Sequence, residues 1–209
     1  LRMASNDKNH TGTAIDVNKL MADNDTGGRN PGPAVRKLLL GVALAWSLFQ
    51  LWIASPLPFV FGVGVFNDTQ SRAIHLAFAV FLAYLAYPAF SGSRSDRVPV
   101  SDWLFALVGA FCAAYLFLFY RELATRPGQP TQTDLVVAVI GIVTLLEATR
   151  RALGLPMVIV ALVFLGYTFA GPYMPDLIAH MGASISRVMS HQWLTTEGVY
   201  GVALGVSSG

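Results

Sequence analysis

Glu147, Arg150 and Arg151 stand together where an apolar stretch ends, the one place in the chain where a carboxylate and two guanidinium groups share a helical face. Spacings of i,i+3 and i,i+4 bring such side chains into contact on a helix, so an interfacial ion pair is expected, with a coupling-ion or proton role as the functional alternative. Gln50 and His75 lie inside or at the edge of other apolar stretches, where a polar group is costly unless it is partnered. Gln50 is expected to make an interhelix polar contact, and His75 to sit near a membrane interface. Thr144 can bond back to its own helix. Asp102 and Asp134 each precede an apolar stretch and read as helix N-caps. Cys112 is a small packing residue.

No constellation for catalysis accompanies these residues. H-E-x-x-H, G-x-S-x-G and Walker-type loops are missing from the sequence, which argues against the hydrolases and nucleotide enzymes that depend on them. Gly62-Val-Gly64 lacks a third glycine. His180 and His191 are eleven positions apart with no cysteine nearby, a poor match to zinc-ligand spacing. The sequence is therefore read as a non-enzyme with no catalytic, cofactor or metal residues.

The elements that must hold these polar groups are membrane helices. Of the 209 residues 54% are hydrophobic and only 12% charged, against about 25% charged in an ordinary soluble domain. A net charge of +2, spread over the flanks of apolar blocks, gives no nucleic-acid footprint. Residues 1–34 are rich in Asn, Asp, Gly and Thr and are expected to be a disordered tail. Five apolar blocks follow: Leu38 to Ser55, Ile74 to Phe90, Trp103 to Tyr120, Leu135 to Leu146, and Leu155 to about Tyr173. A helix needs roughly 20 residues to cross the bilayer core. The fourth block crosses only if Thr131–Thr133 and Glu147–Arg150 extend it into the headgroups. The fold expected is thus an all-α, polytopic transmembrane bundle of about five spans.

Arg29, Arg36, Lys37, Arg94, Arg97, Arg150 and Arg151 fall on one side of such a bundle. The first opposite loop, Pro56 to Gln70, has no Lys or Arg. The positive-inside rule then favours a cytoplasmic N-terminus, with Arg121 and Arg126 dissenting. After Gly171, Leu177, Met181, Ile185 and Val188 recur at helical spacing, which predicts an amphipathic segment along the outer membrane surface, with Gly182 as the point that would divide it into two short helices. Gly201-x-x-x-Gly205 matches the small-xxx-small packing pattern.

The C-terminal quarter resembles a known family. Gly154-Leu-Pro156, Ala161-Leu-Val-Phe-Leu-Gly-Tyr167, Gly171-Pro-Tyr-Met-Pro175, Ser190-His191, Leu194-Thr-Thr-Glu-Gly198 and Gly201-Val-Ala-Leu-Gly-Val-Ser207 look like the TRAP-type (tripartite ATP-independent periplasmic) transporter fused permeases of the variety that works with TAXI-type binding proteins. These join a small four-helix subunit to a large twelve-helix one. The resemblance implies a secondary transporter of the bacterial inner membrane, importing organic acids from a periplasmic binding protein and coupled to an ion gradient, commonly sodium. It further implies residues 35–152 as the small-subunit portion, 153–193 as a connecting span and surface helix, and 194–209 as the start of the large subunit. Substrate and ion sites would lie in that large subunit, so this stretch alone is not expected to transport. From the residues alone, a self-contained membrane anchor or assembly protein is the rival reading.

Overall fold

The computed structural model describes residues 28–90, 97–175 and 177–208, and among these there is no strand. Nine α-helices follow in order: α1 (Pro33–Ala54), α2 (Leu57–Phe61), α3 (Asp68–Ala86), α4 (Val100–Leu118), α5 (Tyr120–Thr125), α6 (Gln132–Leu153), α7 (Leu155–Ala170), α8 (Ile185–Leu194) and α9 (Val202–Ser208). A 3₁₀ turn, Gly171–Tyr173, closes α7.

Local chemistry sets the boundaries, and it moves them away from the ends of the apolar blocks. Asn67 and Gln70 form a reciprocal capping box that starts α3 well before Ile74. Thr131 and Asp134 do the same for α6. Arg150 and Arg151 continue α6 to Leu153, where cations suit the negative end of the helix dipole. Gly154, at φ +85°, then breaks the chain direction, and Pro156 opens α7 in a position where its missing N–H costs nothing.

The core lies where α3, α4 and α6 meet. Ala73, Val80, Tyr84, Leu85, Ala106, Ala113 and Ala138 are all buried there. Gly109 lets α3 and α4 approach closely, since a Cβ at that position would come within 2.7 Å of Val80.

Three segments are long and apolar enough to cross a membrane: Pro33–Ala54, Val100–Leu118 and Leu155–Tyr173. Their outer faces are bare. No residue of α1 is buried, and of α7 only Val158 is. Leu40, Leu44, Leu48, Leu51, Val163 and Phe164 are all at least half exposed. Apolar surface on this scale is rare on soluble monomers and fits a protein embedded in a membrane. Alongside these segments, α3 and α6 are helices of 19 and 22 residues with charged or polar ends.

Two expectations need correction. The stretch 28–34 is not part of a disordered tail: Arg29 is buried, its N–H donates to the Ala86 carbonyl at 2.7 Å, and the helix begins at Pro33. Residues 1–27 and Arg94 lie outside the described residues. The amphipathic segment divides at Gly182, and only its second half is helical. Pro175 and Gly182, the latter at φ +67°, interrupt it, so α8 begins only at Ile185. Leu177 and Met181 lie outside any helix and are almost fully exposed, while Val188 and Trp193 on α8 are buried against the bundle. Asp176 itself is outside the described residues.

Candidate functional site

Two polar centres cap opposite ends of the α4–α6 pair, and an aromatic clamp holds the C-terminal segment between them. The first centre gathers Arg29, Asp102, Glu147, Arg150 and Arg151. Glu147 accepts from Arg150 Nε at 2.7 Å and Nη2 at 2.8 Å, and from Arg151 Nε at 2.8 Å. Arg151 reaches on with Nη1 to Asp102 Oδ1 at 2.9 Å, and the other Asp102 oxygen pairs with Arg29. Arg150 also donates to the Ala89 carbonyl at 2.6 Å. Both guanidinium groups lie over aromatic rings, Arg151 over Tyr84 at 4.6 Å and Arg150 over Phe90 at 5.5 Å, geometries that add cation–π attraction.

Asp102 is the hinge of this centre and is not an N-cap. The cap position of α4 belongs to Pro99. Asp102 sits one turn in, 2% exposed, bridging two arginines from elsewhere in the chain. Arg29 Nε and Nη1 are buried without a hydrogen-bond partner among the described residues. The arrangement suits structural locking of the N-terminal segment to α4 and α6: its acceptors are filled by guanidinium donors.

The second centre is built on Asp134. Its Oδ2 accepts from the Thr131 N–H at 2.8 Å and pairs with Arg126 at 2.8 Å. Its Oδ1 accepts from Tyr115 Oη at 2.7 Å. Here too the cap itself lies three positions earlier: Thr131 is the N-cap, and Asp134 is the reciprocal member of the box. Arg126, which dissented from the charge asymmetry, is thereby tied to a buried carboxylate.

The clamp was not legible in the sequence. Trp193 Nε1 donates to the Cys112 carbonyl at 3.0 Å, and Tyr200 Oη donates to the Ala113 carbonyl at 2.9 Å. Both rings are fully buried and meet edge to face at 5.6 Å. Gly141 on α6 makes room for Trp193, since a Cβ there would come within 2.2 Å of the indole. Arg72 on α3 completes the attachment by donating to the Tyr200 carbonyl at 2.9 Å. Gly205 lies so close to that guanidinium that a Cβ would come within 2.6 Å of it, so the second glycine of the Gly201-x-x-x-Gly205 pattern accommodates an arginine.

The remaining polar candidates have ordinary partners, except that Gln50 Oε1 is buried without a hydrogen-bond partner among the described residues. Gln50 Nε2 reaches the Ser207 carbonyl at 3.5 Å, which joins α1 to α9. Trp46 Nε1 donates to His75 Nδ1 at 3.3 Å. Thr144 Oγ1 donates to the Ile140 carbonyl of its own helix at 2.8 Å, and its own carbonyl accepts from Tyr84 Oη at 2.8 Å. His180 packs under Gly171, with Nδ1 accepting from the Gly182 N–H at 3.0 Å. Cys112 is buried and free. Among the described residues no three His, Cys, Asp or Glu side chains gather as a metal site.

No protein-family model, no curated protein and no solved structure matches this chain.

Proposed function

We propose that the chain is the bracing, N-terminal part of a TRAP-type fused permease, seated in the bacterial inner membrane with its N-terminus in the cytoplasm. In this reading α1, α3, α4, α6 and α7 all span, and the part after α7 lies on the periplasmic side. The brace supports ion-gradient-driven uptake of organic acids handed over by a periplasmic binding protein. Substrate and the coupling ion, sodium, bind in a large subunit that follows the clamp.

The observation that carries this reading is the contrast around α7. This helix is apolar on every side yet buries only Val158 against the bundle, a pattern that calls for lipid or further protein around it. The segment after it returns to the bundle and is anchored there by Trp193 and Tyr200. A chain anchored so firmly just before α9 is well placed to hold a moving domain against a fixed frame. Both polar centres serve rigidity in the same scheme, because their carboxylates are occupied by arginines.

The test is to follow the coding sequence past Gly209 and express the longer chain with a periplasmic binding protein encoded beside it. Further hydrophobic helices, and sodium-dependent uptake of an organic acid into proteoliposomes, are expected. A stop codon at that point in an intact genome sinks the proposal. The rival reading, a self-contained anchor or assembly protein, draws on the same fold-back of Trp193 and Tyr200, which closes the bundle on itself. It predicts a complete oligomer of this chain alone in native mass spectrometry.

A further inference from the structure

An apolar groove of about 640 Å³ runs between α1, α3 and α6, a volume within the roughly 300–1,000 Å³ of small-molecule sites. Its lining alternates leucines with small residues, among them Ala43 on α1, Ala83 on α3 and Ala152 on α6. Arg36 stands at one end and Trp46 at the other. Ten residues of helix separate them, about 15 Å, which is half of a bilayer core about 30 Å thick. The groove is therefore one leaflet deep. A transmembrane helix needs twice that length, whereas a single acyl chain matches it.

Charge specifies the rest of the occupant. Arg36 is exposed at the mouth, with Lys37 beside it, and neither makes an ion pair among the described residues. Ala86 also lines the groove, and its carbonyl accepts from Arg29. The first polar centre, where the guanidinium groups of Arg29, Arg150 and Arg151 outnumber the carboxylates of Asp102 and Glu147, thus adjoins the same end. Long basic side chains at a helix end reach to the headgroup layer.

We infer that the groove binds one anionic phospholipid, one of its two acyl chains between α1, α3 and α6, the other in the surrounding bilayer, and its phosphate at Arg36 and Lys37. The lipid fills the gap that leaves α1 without a single buried residue. The inference rests on membrane embedding alone and stands or falls apart from the transport reading.

Native mass spectrometry of the purified chain, with phosphatidylglycerol or phosphatidylcholine of equal chain length added, tests it. One phosphatidylglycerol is expected to stay bound, with a preference of about 10- to 30-fold from two basic residues at an anionic headgroup. Arg36→Gln together with Lys37→Gln should reduce that retention to the phosphatidylcholine level. Ala83→Phe, which fills the groove, should lower retention of both lipids, and the milder Ala43→Leu should do so in part while circular dichroism shows unchanged helix. Equal retention of the two lipids, or groove-filling variants that bind as before, overturns the inference. So does a dimer in place of a lipid adduct, because a second copy would then occupy the groove.

Discussion

The two polar centres are built from the same chemistry, a buried aspartate facing arginine, yet they are assembled in opposite ways. Asp134 is held by its neighbours: Thr131, Arg126 and Tyr115 lie within nineteen positions of it along the chain. Asp102 is held from afar, by Arg151 at a separation of 49 and Arg29 at 73. A local centre starts a helix, whereas a long-range centre fixes three separate segments to one another. The difference also shows in exposure. Arg126 keeps 26% of its side chain in contact with solvent, but Arg29 and Arg151 keep 0% and 3%.

Removing each carboxylate should separate the two roles. Asp102→Ala strands the buried guanidinium of Arg29 and leaves Arg151 with Glu147 alone, and breaking a buried pair from one side costs about 3–5 kcal/mol. The thermal midpoint in detergent should drop most for this variant, and the N-terminal segment around Arg29 should become sensitive to protease. Asp134→Ala loses a cap and a tyrosine hydrogen bond, about 2 kcal/mol together. Arg126 can turn to solvent, so the smaller drop should come without protease sensitivity at Arg29. Equal losses for the two variants would remove the distinction between the centres.

Gly141→Leu probes the clamp that lies between them. Overpacking costs about 1–3 kcal/mol, and here the strain falls on Trp193. Its fluorescence should shift to the red as the ring leaves its buried site, while both polar centres persist. Glu147→Gln is expected to have the smallest effect. Its partners Arg150 and Arg151 retain Ala89 and Asp102 respectively, and a partly exposed pair contributes about 1 kcal/mol or less. A loss as large as that of Asp102→Ala would make Glu147 the organising residue instead.

Legibility in the sequence followed the same division between local and distant contacts. The five long helices were readable from the apolar blocks and the breaks at Pro56, Gly154 and Gly171. Their true ends were not, because polar residues such as Asp68 and Gln132 lengthen α3 and α6 through capping boxes. Pairing of Glu147 with Arg150 and Arg151 could be read from i,i+3 and i,i+4 spacing. The link from Arg29 to Asp102 could not, since Arg29 sits in a Gly- and Asn-rich stretch with no periodicity. Trp193 and Tyr200 gave no sign of docking into α4, as a carbonyl acceptor leaves no trace in sequence. The amphipathic pattern from Leu177 to Val188 divides at Gly182, as the glycine suggests, but only the part after it is a helix: residues 177–181 follow Pro175 without helical structure.

The proposed bracing role requires a definite topology, in which the Asp102 centre lies at the cytoplasmic face and the Asp134 centre at the periplasmic face. Single cysteines at Lys37, Arg97, Gly128 and Ser184, labelled in intact cells with a membrane-impermeant maleimide, test this directly. Gly128→Cys and Ser184→Cys should react from outside, and Lys37→Cys and Arg97→Cys only after permeabilisation. Labelling of Gly128→Cys and Ser184→Cys from opposite faces would contradict five spans and, with them, the account of α7 as the link to a transport domain.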